Sequence, residues 1–250
     1  MNISEWGKGA LVAAFSSPEI AFLLPSGTAT LGELSINPRN QVRAQRSVGE
    51  LAELLTKRVV LAIGVSQGRI IDETNDSTRS QFSIRRAGEF VAVSEPVYRL
   101  WLWTLVPRSA EEFEAQAREM GGSESDPLAY ARELEGLALI AEFGPDQSEW
   151  NELAERLRPI PLGFGVGNSE ADLLGYEITD AAGRSRLKIH PLGFWIWLCW
   201  DGTTTIAHAA NDLIPAMPAE VTRDVILGAA KELVLSCLIL GLVMLDDVIP

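Results

Sequence analysis

Two histidines, two cysteines, a glycine-rich run and two tryptophan pairs are the residues of this chain whose chemistry could exceed packing. His190 abuts Pro191, and His208 lies near Asn211 and Asp212. A metal site needs further His, Cys or carboxylate ligands at helical or loop spacing. No such cluster surrounds either histidine, so both are expected to be structural or surface groups, and neither a metal nor a cofactor is expected. Cys199 sits among Trp197, Leu198 and Trp200, while Cys237 lies in an apolar run. A nucleophilic thiol needs an activating base and an electropositive setting; neither cysteine has one, and both are expected to be buried and inert. Gly163-Phe164-Gly165-Val166-Gly167-Asn168 has the glycines of a phosphate loop without its Lys-Ser/Thr or the following helix, which predicts a glycine-rich strand or bulge.

Trp101 with Trp103, and Trp195 with Trp197, could form stacking platforms for bases or sugars. Spacing of i and i+2 puts the members of each pair on different sides of a helix. One core Trp and one Trp covering a contact between units is therefore the favoured reading. Arg39, Arg43 and Arg46 have helical spacing and form the one basic stripe; a solvated face is favoured over an anion or acidic-partner contact.

These residues must be positioned by an ordinary globular chain of 250 residues, 47% hydrophobic and 22% charged. The net charge of −13 argues against coating nucleic acid or anionic lipid, which requires clustered Lys and Arg. Two cysteines exclude a disulfide scaffold and fit a reducing compartment. The N-terminal residues lack the basic start and apolar run of a secretory signal. The most apolar stretch, Leu233 to Leu245, is bounded by Glu232 and by Asp246-Asp247 and is shorter than the roughly 20 residues a bilayer needs. It is predicted to be a buried C-terminal helix running into a strand, in a cytoplasmic protein.

The organisation emerges from self-similarity. Gly9 to Leu31, Gly88 to Phe113 and Arg186 to Ile206 each read as a short strand, a Pro-started apolar helix, a turn and a second helix opened by Ser or Thr. Proline suits the first helical turn, where its missing N–H is not needed, and Ser or Thr can accept from the free N–H groups of the next helix. Each unit is followed by a helical pattern and an apolar strand. Glu50-Leu51-Ala52-Glu53 is echoed by Glu152-Leu153-Ala154-Glu155, a spacing that suggests duplication. Hairpin turns are predicted at Asp72 to Thr78 and Asp180 to Gly183. The expected architecture is α+β, with tandem winged-helix-like units and small antiparallel sheets. Its units are a degenerate one at 1–70, a second at 71–148 and a third at 149–250.

The third unit carries a resemblance. Ile189, Pro191, Trp195, Trp197, Asp201, Gly202 and Thr203 fall in the order strand, Pro-helix with late Trp, Asp-Gly-Thr turn. With Glu220 to Leu242 as the last helix, residues 186–247 resemble PqqD-like winged-helix domains. The second unit keeps the proline and the Trp pair but has Val106-Pro107-Arg108 in place of Asp-Gly; the first has no Trp at all. The resemblance implies a non-catalytic clamp that binds the leader of a ribosomally made peptide and presents it to a modifying enzyme. The peptide would add a strand to the small sheet, in a groove lined by Arg186, Leu187, Lys188 and Ile189 and by the helix around Val225 and Ala229. Partners are then a peptide or a protein, with no nucleic acid and no membrane, and open strand edges permit self-association. The alternatives are a scaffold bridging larger proteins, a winged-helix DNA regulator and an enzyme assembled from dispersed residues. The regulator is disfavoured because Glu220, Asp224 and Glu232 would meet phosphate.

Overall fold

An unbroken apolar run reads as a strand with no solvent face, and Val59-Val60-Leu61-Ala62 forms one. The computed structural model describes residues 50–70, 81–122, 125–169 and 172–248. Within them a short helix α1 (Leu51–Leu54) leads into β1 (Val59–Ala62). A meander of β2 (Val65–Ile70), β3 (Gln81–Arg86) and β4 (Glu89–Ser94) follows, then α2 (Glu95–Trp103) and a two-residue strand β5 (Arg108–Ser109). Helices α3 (Ala110–Met120) and α4 (Ala129–Gly136) precede β6 (Ile140–Phe143), which returns antiparallel to β1.

The same order then recurs. Helix α5 (Gln147–Ala154) leads into β7 (Leu157–Pro161) and a second meander, β8 (Phe164–Ser169), β9 (Asp172–Thr179) and β10 (Ser185–Ile189). Helices α6 (Pro191–Leu198), α7 (Ile206–Leu213) and α8 (Arg223–Leu240) precede β11 (Val243–Asp247), which pairs antiparallel with β7. The protein is thus an α+β chain of small antiparallel sheets. Residues 59–70 share sheets with 81–143, so the unit boundary expected at residue 70 runs through the hydrogen-bonded pair β2–β3. The boundary expected between 148 and 149 falls inside the first turn of α5. The elements expected over 9–31, the Arg39, Arg43 and Arg46 stripe and the turn expected at 72–78 lie outside the described residues.

Local chemistry accounts for the helix starts. Pro96 and Pro191 sit in the first turns of α2 and α6. Ser109 and Glu112 cap α3 reciprocally, Thr205 caps α7 and Thr222 caps α8 through side-chain oxygens. Helix α8 is apolar on every side and buried from Ile226 to Leu240 except at the half-exposed Gly228 and Glu232, as a central helix must be.

Two cores result, and β1 divides them. Val59 and Leu61 face one core with α1, α5 and α8; Val60 and Ala62 face the other with Ile84, Leu100, Trp101, Phe113 and Leu134. Each core has an indole tied to main chain: Trp101 Nε1 donates to the Ile63 carbonyl at 3.0 Å, and Trp150 Nε1 to that of Leu227 at 2.8 Å. Where β1 turns into β2, the Gly64 N–H crosses to the Leu245 carbonyl of β11 at 2.8 Å. Gly64 has φ +102, and a Cβ there would lie 2.8 Å from the Arg85 carbonyl oxygen, so only glycine fits this crossing.

The two halves are also joined by charge. Asp246 and Asp247 are buried at the end of β11. Arg158 Nη2 donates to Asp246 at 2.7 Å, and Arg86 Nε donates to Asp247 at 2.7 Å with its Nη2 on the same oxygen. The β3–β4 turn, Ala87-Gly88, has positive φ at both residues, the geometry of a two-residue hairpin turn. Its Ala87 N–H donates to Asp246 at 2.8 Å.

Two stability predictions follow from this packing. Leu61→Ala should cost about 2–5 kcal/mol by cavity formation. Asp246→Ala, which leaves the Arg158 guanidinium and the Ala87 N–H without their acceptor, should cost about 3–5 kcal/mol. Urea unfolding monitored by tryptophan fluorescence measures both.

Candidate functional site

Strand order β10-β9-β8 leaves a strand edge on each side of the second meander, and helices α6 and α8 lie under it: α6 beneath β8 and β9, α8 beneath β10. Alternation sorts the side chains. On the inner face Tyr176 stacks on Phe194 with ring centroids 4.4 Å apart, and Ile178, Leu187 and Ile189 enter the core. Lys188 points the other way, its Nζ 3.6 Å from Glu177 across the β9–β10 pair.

Arg186 stands at a register shift between Ser185 and Leu187, the signature of a bulge. Its side chain is 10% exposed, Nε lies 3.9 Å from the Asp180 carboxylate, and Nη2 is buried with no hydrogen-bond partner. Asp180 also makes the hairpin turn expected there. It accepts from the N–H groups of Ala182 and Arg184 and pairs with the Arg184 guanidinium at 2.8 Å.

Of the six residues assigned to the groove, four are consecutive on β10, which packs on α8. The first turns of α8, with Val225 and Ala229, make polar contacts to α5 and the residue after it, as Asn151–Asp224 and Arg223–Glu155, and the six are presented unequally. Lys188 is exposed, and Val225 lies 36% exposed in the first turn of α8. Leu187, Ile189 and Ala229 are buried. Leu187 and Ile189 can therefore offer a ligand only main chain, and Ala229 offers it nothing but support. The reason is the period of two: β10 can show only every second side chain to solvent.

The chemistry-bearing residues occupy structural posts around this sheet. His190 caps α6, its Nδ1 accepting from the Leu192 N–H at 3.3 Å, and burial holds its pKa below the usual value. Asp201 closes the next turn by accepting from the N–H groups of Thr203 and Thr204 and from the Thr203 hydroxyl, which lowers its pKa to about 2; Gly202 takes φ +79 there. Burial, reinforced by Asp212 and Asp201, pushes the Cys199 thiol up to about 11, and complete burial pushes Cys237 up as well. Neither thiol is a nucleophile at neutral pH. His208 lies 3.4 Å from Asp212 one helical turn on. Among the described residues no three His, Cys, Asp or Glu side chains are grouped to hold a metal ion, and no helix is long and apolar enough to cross a membrane. Trp101 and Trp197 are buried, Trp195 packs on the core at its edge, and Trp103 lies under the Arg108 guanidinium at 4.2 Å.

The glycine-rich run is β8, and it contributes a feature that residue types alone conceal. Gly165 faces α6, where a Cβ would lie 2.8 Å from the Phe194 ring and 3.1 Å from Trp197. The alternate residues, Phe164 and Val166, face outward at 62% and 51% exposure. The glycine–apolar alternation carried that signal, because small residues inward force the large ones outward.

No family model matches the sequence, and no characterised protein or solved structure is detectably similar to it.

The His190 cap makes a pH prediction. Its folded pKa lies below the ordinary 6.5, so its contribution is fully present above about pH 6.5 and is lost as pH falls below that value. His190→Asn keeps a capping acceptor without the titration. Denaturation midpoints should fall more steeply for the wild type than for the variant between about pH 7.5 and pH 5.

Proposed function

We propose that this chain is a non-catalytic peptide-binding accessory protein which takes an extended segment of its ligand as an added strand along β10. The observation that carries the reading is that among the described residues β10 is hydrogen-bonded on one side only, to β9, and rests on α8. Main-chain bonds would supply affinity and the neighbouring side chains register. The meander, Pro-started helix, two further helices and closing strand agree with the order expected of a PqqD-like winged-helix unit. On that resemblance the ligand is the leader of a ribosomally made peptide, handed to a modifying enzyme in the cytoplasm. Binding of DNA by α8 is the weaker reading. Its exposed first turn pairs Arg223 with Glu155 and carries Asp224, and Lys231 is buried, so little positive charge is left for phosphate.

Random-sequence peptides displayed on phage and panned against the full chain test the reading. Enriched peptides are expected to slow amide hydrogen exchange at residues 185–189 by about tenfold or more at saturation. Failure to enrich any peptide, or protection confined to residues away from β10, overturns the assignment.

A further inference from the structure

The opposite edge of the same sheet is built for a different occupant. Among the described residues, strand β8 pairs with β9 and on its other side with nothing. Gly163 and Gly165 leave no room for a side chain, the first against the Thr179 carbonyl and the second against Phe194 and Trp197. The apolar side chains of this stretch stand in solvent: Leu162, just before the strand, is 39% exposed, Phe164 62% and Val166 51%. Folded proteins protect such edges with charge or proline. From Leu162 to Ser169 there is neither, in a chain that carries a net charge of −13.

We propose that β8 is a self-association edge, at which two copies pair antiparallel about a two-fold axis near Gly165 and join their three-stranded sheets into one continuous sheet. The charge pattern selects a second copy as the occupant. In an isologous contact every residue faces its own counterpart or near neighbour, so any charge on this strand would meet its like. Chains with this net charge repel one another, and the run from Leu162 to Ser169 adds no charge to that repulsion. The register also fits. Pairing of β8 with β9 is regular from Phe164 to Val166 and shifts beyond Val166, so the straight part of the strand is centred on Gly165. A two-fold axis there sets Phe164 of one copy beside Val166 of the other, an aromatic to β-branched cross-strand pair. A contact of one short strand falls below the roughly 1,200 Å² of stable interfaces, so the dimer is concentration-dependent. The β10 edges point away from the axis and stay open in the dimer.

Sedimentation of the full chain across a range of concentrations tests this. The weight-average mass is expected to rise from the 27.2 kDa of one chain toward twice that value. Amide exchange at 164–166 should slow with concentration while that at 185–189 stays constant. Val166→Lys and, separately, Phe164→Lys should remain single chains with wild-type circular dichroism and denaturation midpoints. A wild type that stays at the mass of one chain overturns the proposal. So does a folded variant of either kind that associates as the wild type does, or association that leaves exchange at 164–166 unchanged. These readouts are independent of peptide binding at β10.

Discussion

Strand β1 has no solvent face, and the arrangement of everything else depends on that. Val59 and Leu61 belong to one core and Val60 and Ala62 to the other, so neither core closes without it. A strand in this position cannot slip by one residue: each face would then present the wrong set of volumes to an interior packed at crystal-like density. The helices on both sides therefore inherit their positions from the register of β1 with β6, in which Val59 lies opposite Phe143 and Ala62 opposite Ile140. The indole of Trp101, bonded to the Ile63 carbonyl just beyond the strand, ties α2 to the same register.

Burial of hydrocarbon holds the two repeats together but does not orient them; the Asp246–Asp247 cluster does. Two buried carboxylates are tolerable only if their oxygens are well supplied with donors. The donors come from both halves: Arg158 from β7, Arg86 and the Ala87 N–H from the β3–β4 hairpin. Any rotation of one half against the other would separate these donors from carboxylates that have no water to turn to. The geometry of Ala87, held at φ +49, is part of the same fit, since a non-glycine residue occupies that conformation at a cost that its bond to Asp246 helps to offset.

What could be read from the sequence, and what could not, divides by range. Helix starts at Pro96 and Pro191, the Asp180 and Asp201 turns, and the strand nature of the glycine run all depend on bonds within a few residues, and those residue types announce them. The grouping of 59–70 with 81–143 depends on β1 meeting β6 some eighty residues later, and nothing local specifies that pairing. Asp246-Asp247 misleads for a related reason. After an apolar run two aspartates mark the return to solvent unless distant arginines meet them, and Arg86 is far away in sequence. The groove residues show the limit within a single strand. The segment 186–189 was identifiable as a strand edge, but which of its side chains face inward follows from the position of α6 and α8 beneath it.

The second meander thus ends in two edges of different chemistry, and the sheet itself explains why they can coexist. One edge carries Arg186 and Lys188, each close to a carboxylate of the same hairpin. The other carries only glycine and apolar residues up to Val166, and at Gly165 the rings of α6 occupy the space a side chain would need. The character of this second edge traces to one packing decision, the placing of Phe194 and Trp197 under β8. That placement admits only glycine at 165, so the large residues on either side of it, Phe164 and Val166, face outward. A strand added at either edge extends the same hydrogen-bonded sheet, and β9 stands between the two, so occupation of one edge leaves the other open. The proposed self-association at β8 and the proposed peptide binding at β10 would therefore not compete for one edge.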